Sequence, residues 1–144
     1  MLRAVLDANV IVSALIQPEG PSGRIVRAFL RHRAFGLVIS PGIMVEVRRC
    51  LRRDRTRRHL RVTGEEVAAV LGLLELLGDT VPGTRKVAVV ASDPADDGVV
   101  AAALEGGAAF VVSGDRHVLE VGEHEGIHFL SPRTFSDLLE RLGG

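Results

Sequence analysis

Short apolar runs that alternate with helix-forming segments constrain the fold of this chain more than any other feature. The runs are continuous, without the apolar–polar alternation of a half-exposed strand, which is typical of strands buried on both faces of a parallel sheet. They span residues 2–6, 37–39, 87–90, 109–112 and 127–130. The segments between them place apolar residues at helical spacing. This order predicts a three-layer α/β/α fold, in which helices cover both faces of a central, mainly parallel sheet.

Four helix starts are indicated by capping residues. Ser40 and Ser131 are each followed by proline, which combines a favourable N-cap with the residue best suited to the first helical position. Thr63 begins a Thr-x-x-Glu capping box. Ser22 follows a loop rich in proline and glycine, and we expect it to cap the second helix.

Length and composition indicate an ordinary globular chain. Its 144 residues predict one domain over residues 1–144, and 47% apolar with 25% charged residues gives no sign of disorder. The net charge is zero, so any binding to a polyanion has to come from a local patch. No apolar stretch reaches the ~20 residues that a membrane span needs. The single cysteine, Cys50, suits a reducing cytoplasm.

Acidic residues follow three of the apolar runs, at the edge where open parallel sheets bind their ligands. These acids are Asp7, Asp93, Asp96, Asp97 and Asp115. Glu46, in the helix after the second run, is expected to point toward the same edge. Clustered carboxylates raise one another's pKa unless a cation neutralises them, and an all-oxygen set suits Mg²⁺ or Mn²⁺. The sequence therefore predicts a divalent-metal site that activates water for displacement at phosphorus.

The acids differ in how well a purely structural role explains them. Asp7 stands in apolar surroundings, where an unpaired carboxylate is costly, so a role as a ligand is the better explanation. Residues 93–97 are expected to form a polar turn that leads into a helix over residues 99–104. Helix capping therefore explains Asp93 and Asp96 as well as a site does.

The acids lie in four short motifs that, in the same order, resemble those of the PIN-domain family of metal-dependent ribonucleases. The motifs span residues 5–14, 40–46, 93–103 and 112–115. The resemblance implies about five parallel strands, one or two Mg²⁺ or Mn²⁺ ions, and hydrolysis of RNA phosphodiester bonds. The nearest group is the VapC-type toxins, which implies an antitoxin protein as partner and a homodimer.

The resemblance also assigns roles to residues. The quartet that would bind metal and carry catalysis is Asp7, Glu46, Asp97 and Asp115. Asn9 and Ser113 would orient these acids, and Asp93 and Asp96 would be supporting residues. One position departs from the family pattern, because His117 stands where a further acid is usual. His117 would contact metal or phosphate, indicate reduced activity, or be a surface histidine in a loop.

Residues 48–61 hold eight of the eighteen Lys and Arg residues. Arginine forks suit phosphate oxygens, so Arg48, Arg49, Arg52 and Arg53 are candidate contacts to the RNA backbone. A solvated helix face is the alternative for any such charge run. An acidic or antitoxin-like protein would fit the same surface.

Three other interpretations compete. The segment from His124 to His128 matches the HExxH zinc motif, but Gly122 and Gly126 disfavour the helix that this motif requires. In an extended chain the two histidines would lie ~13 Å apart. A haloacid-dehalogenase-like phosphatase needs a second aspartate two residues after the first, and Asn9 stands there. A catalytically weak PIN-like scaffold that binds RNA or protein stays open.

Overall fold

The computed structural model describes residues 1–87 and 94–143, with the backbone alone for residues 94–96. The strands in these ranges are β1 (Arg3–Leu6), β2 (Gly36–Ile39), β3 (Asp79–Thr80), β4 (Phe110–Val112), β5 (Glu123–His124) and β6 (Ile127–Leu130). The helices are α1 (Ala8–Ile16), α2 (Pro21–His32), α3 (Pro41–Leu51), α4 (Asp54–Arg57), α5 (Gly64–Leu77), α6 (Pro94–Gly106), α7 (Arg116–Leu119) and α8 (Pro132–Gly143).

The strands form one sheet in the order β3-β2-β1-β4-β6-β5. All neighbours are parallel except β5, which pairs with β6 in the antiparallel sense. In β1, the side chains of Ala4, Val5 and Leu6 are fully buried although they point to alternate faces, so both faces of the sheet are covered. The predicted three-layer α/β/α fold with a mainly parallel central sheet is confirmed.

Two details of the predicted sheet need comment. The expected strand over residues 87–90 falls mostly outside the described residues, and Val87 itself is not part of a strand. The edge strand β3 was not expected from sequence, because it comprises only two exposed polar residues, Asp79 and Thr80. The two residues join the sheet because their backbone pairs with Val38 and Ile39 of β2.

Aromatic side chains join α2 and α8 to the sheet. The Phe35 ring lies 5.5 Å from the Phe29 ring and meets the edge of the Phe135 ring at 5.2 Å, centroid to centroid. All three phenylalanines are fully buried. Burial of these three rings helps to hold this helical layer in place.

Among the described residues, none of the helices has the length and apolar character needed to cross a bilayer.

Three of the four expected caps are confirmed. Ser40 accepts a hydrogen bond from the Ile43 amide, and Thr63 forms the complete capping box with Glu66. Ser131 accepts from the amide three residues later, at the start of α8.

The expectations for Ser22 and for the turn over residues 93–97 were wrong. Helix α2 begins at Pro21 with Gly20 as its N-cap, so Ser22 is a buried residue of the first turn. Helix α6 begins at Pro94, so residues 94–97 are helical. In both cases proline is the first helical residue, where its fixed φ suits the helix and its missing N–H costs nothing.

The HExxH match lies in a β-hairpin. Glu125 and Gly126 both have positive φ, 48° and 81°, as a two-residue type I′ turn requires. His124 pairs with Ile127 across the hairpin, so the next residue, His128, lies on the opposite face of the two strands. The expected extended chain was wrong because the segment reverses direction. The two histidines nevertheless do not converge on one metal ion.

Candidate metal centre

Parallel pairing brings the ends of three strands to one edge. Leu6 of β1 is in register with Val112 of β4, and the Asp7 amide donates to the Val112 carbonyl at 2.9 Å. The Ser113 amide donates to the Leu130 carbonyl of β6 at 3.1 Å. Asp7 and Ser113 are therefore neighbours although they are 106 positions apart in sequence.

Asp7 is a buried carboxylate in which both oxygens accept hydrogen bonds. Oδ1 accepts from the Ala8 amide at 2.7 Å, which makes Asp7 the N-cap of α1. Oδ2 accepts from the Ser113 hydroxyl at 2.8 Å and from Asn9 Nδ2 at 3.1 Å. Only 7% of the residue is exposed. These donors compensate part of the cost of burying a charge.

Burial raises the pKa of the Asp7 carboxyl above its usual range, and this effect is larger than any other. The hydrogen bonds from Ser113, Ala8 and Asn9 act in the opposite direction. The negative charge of Asp115 raises the pKa further. A cation beside Asp7 would relieve both the desolvation and the repulsion, so the chemistry of the site fits a bound metal ion.

Asn9 and Ser113 connect the two acids. The Asn9 side chain donates to Asp7 and to the Ser113 hydroxyl oxygen, and it accepts from the Gly114 amide at 2.8 Å. The Ser113 oxygen also accepts from the Asp115 amide at 3.0 Å. Asn9 belongs to the first motif and Ser113 to the fourth, so these hydrogen bonds join the two motifs.

Asp115 caps the short helix α7, where its Oδ1 accepts from the His117 amide at 2.8 Å. The imidazole of His117 lies on α7 with Nδ1 4.0 Å from Glu120 Oε2, and it does not line the cleft described below. The backbone of His117 therefore positions Asp115, whereas its ring contacts Glu120.

A cleft of about 820 Å³ lies at this edge of the sheet. Asp7, Asn9 and Asp115 line it together with α3, which contributes Glu46 and further residues as far as Cys50. Its other walls are residues 82–84 and the start of α6. Three of the four predicted ligands are thus brought to one cleft.

Residues of the third motif are placed less completely. Gly98 and Val99 line the cleft, and the partly buried Asp97 directly precedes them in α6. Asp93 and the side chain of Asp96 lie outside the described residues. No group of three His, Cys, Asp or Glu side chains within the described parts of the chain is already arranged around a single point.

Glu46 is held by its own helix. Its Oε2 accepts from Arg49 at 2.9 Å, and its Oε1 lies 4.0 Å from Arg53 Nη2. The Cys50 thiol donates to Oε1 at 3.5 Å. Burial and this hydrogen bond raise the pKa of Cys50, so the thiol stays protonated. A protonated thiol is a poor metal ligand, so the carboxylate oxygens are the candidate metal ligands among the described residues of the cleft. Mg²⁺ and Mn²⁺ prefer oxygen ligands.

The four candidate RNA-binding arginines do not share one environment. Arg48 forms an ion pair with Glu75 of α5. Arg49 lines the cleft, and Arg53 extends toward Glu46 from outside it. Arg52 is exposed at the C-terminal end of α3.

One structural element of the cleft was missed from sequence. The Glu105 carboxylate accepts from the backbone amides of Gly83 and Arg85, both at 3.0 Å, and so fixes the wall over residues 82–84 to α6. The Pro82-Gly83 pair indicates a turn, but nothing in the sequence indicates which side chain holds it.

A family model described as PIN domain matches residues 3–117, which is 115 of the 144 residues and includes every strand and helix from β1 to the start of α7. No curated protein sequence matches the chain significantly.

Proposed function

Because this chain belongs to the PIN-domain family, whose members are generally nucleases that use divalent metal ions, we propose that it is a metal-dependent endoribonuclease. The observation that carries the proposal is the buried carboxylate of Asp7, whose pKa is raised by burial and by Asp115, at the base of a cleft that Glu46 also lines. A divalent cation is the ligand that such a site favours.

The residues that would hold one or two Mg²⁺ or Mn²⁺ ions are Asp7, Glu46, Asp97 and Asp115. When bound, such ions supply an activated water and neutralise charge that develops on a phosphodiester. Ser113 and Asn9 hold the Asp7 carboxylate in one orientation through hydrogen bonds to Oδ2. Asp93 and Asp96 keep their proposed supporting role.

RNA recognition is proposed to depend on phosphate and sugar contacts. The rings of Phe29, Phe35 and Phe135 are buried in the core, and the chain has no Trp or Tyr, so few aromatic surfaces are offered to unstacked bases. Arg49 lines the cleft together with the acids, and Arg48, Arg52 and Arg53, at or just beyond the same end of α3, are the other proposed contacts.

The biological setting is proposed from the resemblance to VapC-type toxins. The chain would be the toxin of a toxin–antitoxin pair, act as a homodimer, and bind an antitoxin protein. Its lone cysteine, with a protonated thiol beside Glu46, suits a reducing cytoplasm.

One observation favours a second candidate, a PIN-like scaffold with weak or no activity. The ring of His117, which stands where relatives have an acid, contacts Glu120 and supplies no ligand to the cleft. The phosphatase alternative is disfavoured, because the Asn9 amide already contacts Asp7, Ser113 and Gly114 and has no proton to give as a general acid.

The test is cleavage of labelled linear and circular RNA by the wild type and by Asp7→Asn, with Mn²⁺, Mg²⁺ or EDTA. Cleavage of the circular RNA that needs metal and is lost in Asp7→Asn supports an endoribonuclease. Asp79→Asn is the matched control, since Asp79 pairs with Arg3 away from the cleft. Cutting that survives EDTA or the Asp7 substitution contradicts the mechanism, and RNA binding without cutting supports the scaffold.

A further inference from the structure

The carboxylate of Glu46 lies close to two guanidinium groups, one a turn further along α3 and one just beyond the end of that helix. Arg49 follows Glu46 at i+3 on the same helix face, and Arg53, which lies between α3 and α4, extends its guanidinium back toward the carboxylate. Arg49 makes the closer contact, with Nη1 2.9 Å from Glu46 Oε2. The same carboxylate is one of the acids that line the cleft.

The charges that line the cleft are unequal. Asp7, Glu46 and Asp115 contribute carboxylates, and Arg49 is the one cationic side chain among the described lining residues. Among the described lining residues, a phosphodiester that enters this cleft therefore meets three carboxyl groups and a single guanidinium. That guanidinium is already paired with one of the three acids.

We infer that Arg49 and a divalent cation compete for the Glu46 carboxylate, and that cation binding releases Arg49 to contact the RNA phosphate. The inference rests on the proposed function. The Arg49 side chain is 61% exposed, and an exposed ion pair of this kind is worth about 0.2–1 kcal/mol, so a divalent cation displaces it readily. The planar guanidinium then has a second partner of suitable geometry in the phosphate oxygens.

This exchange gives Arg49 opposite effects on two ligands. With Arg49 removed, a cation no longer has to displace an ion pair from Glu46, and its affinity rises. RNA loses a phosphate contact at the same time, so its affinity falls. A residue that merely stabilises α3 does not produce this pair of effects. A residue that adds only general positive charge also repels the cation and attracts RNA, but its effect on RNA binding is the same with and without the cation.

The experiment uses Arg49→Gln and measures two dissociation constants. Mn²⁺ binding without RNA is measured by calorimetry, and the expected dissociation constant falls about two- to fivefold. Binding of a single-stranded RNA is measured by fluorescence anisotropy, once with Ca²⁺ in place of the catalytic ion and once with EDTA. With Ca²⁺ the RNA dissociation constant is expected to rise about five- to tenfold. The slope of the logarithm of RNA affinity against the logarithm of salt concentration is expected to become shallower by about one unit, which corresponds to one phosphate contact. With EDTA the effect is smaller, because Glu46 then holds Arg49.

Two neighbouring arginines serve as controls. Arg48→Gln removes a guanidinium that pairs with Glu75 on α5, so it reports on any general effect at the end of α3. Arg52→Gln removes an exposed charge of the same arginine run and reports on general attraction of RNA. Arg48→Gln and Arg52→Gln are each expected to weaken RNA binding equally with Ca²⁺ and with EDTA, because neither guanidinium pairs with Glu46.

Two results would overturn the exchange. One is a Mn²⁺ affinity that is unchanged or weaker in Arg49→Gln, with thermal unfolding as a check that the variant is folded. The other is an RNA effect in Arg49→Gln that matches Arg52→Gln in both buffers. If the wild type binds Mn²⁺ and cuts RNA, these results reject the exchange alone. Failure of the wild type to bind Mn²⁺ rejects the proposed function and the exchange with it.

Discussion

The Ser113 hydroxyl donates a 2.8 Å hydrogen bond to Oδ2 of Asp7. The two residues directly follow the adjacent strands β1 and β4, although most of the chain lies between them in sequence. Ser113 is fully buried, and its oxygen also accepts from the Asp115 amide. One hydroxyl thereby joins the first and fourth acidic motifs and sets the orientation of the carboxylate proposed as the principal metal ligand.

Substitution Ser113→Ala is expected to weaken Mn²⁺ binding about tenfold, because residues that orient metal ligands typically contribute this much or more. The loss of the hydroxyl also leaves the Asp115 amide without its partner and destabilises the fold by about 1–3 kcal/mol. Calorimetry measures the first effect and urea unfolding the second. Ser136→Ala, at a buried serine of α8, is the control that changes a hydroxyl outside the site. Equal Mn²⁺ affinity in the wild type and Ser113→Ala would contradict this role.

Asp7→Asn is expected to change how stability depends on pH in EDTA. Because burial raises the pKa of Asp7, the unfolded chain loses the Asp7 proton first as the pH rises above about 4. The free energy of unfolding of the wild type, relative to that of the variant, therefore falls as the pH rises from the ordinary carboxyl pKa to the raised pKa of folded Asp7. Above the raised pKa the difference between the two proteins is constant. Urea unfolding at several pH values between 4 and 7 measures this difference. A difference that is flat across the range would show that Asp7 is not perturbed.

Mn²⁺ is expected to stabilise the folded protein through the same carboxylate. At a concentration one hundred times the dissociation constant, a ligand that binds only the native state adds about 2.7 kcal/mol. For a chain of this size that corresponds to a rise in Tm of about 5–10 °C. The rise should be reversed by EDTA, absent in Asp7→Asn and kept in Asp79→Asn, as scanning calorimetry can measure. An equal rise in all three proteins would place the bound ion elsewhere.

Glu105→Ala is expected to weaken RNA binding and leave Mn²⁺ affinity unchanged. The carboxylate holds the Gly83 and Arg85 amides, so its loss frees the cleft wall over residues 82–84 without touching the acids. RNA affinity should fall about threefold or more, and amide exchange of residues 83–85 should become faster. Glu75→Ala, which removes an ion pair away from the cleft, is the matched control. If Mn²⁺ binding also falls, the wall does more than contact substrate.

Several elements of the fold could be predicted because their signals are local. The capping box at Thr63 and the Ser-Pro starts at Ser40 and Ser131 depend on contacts within four residues, and all three form as expected. The prediction that Ser22 caps α2 was wrong because Pro21 begins the helix without a side-chain cap. The hairpin at His124 was not predicted, because the glycines of this segment indicate only that it is not helical. The reversal of the chain depends on positive φ values at Glu125 and Gly126.

By itself, the sequence determined the layered α/β/α fold and the order in which acids follow its strands, since both depend on the periodicity of apolar residues and on short-range spacing. Only the tertiary structure decided which groups meet. It joined Asp7 to Ser113 and fixed the cleft wall through Glu105, and it selected Arg49 as the arginine that lines the cleft beside Glu46. These contacts depend on strand order and helix packing, which bring together residues far apart in the chain and which no local pattern records.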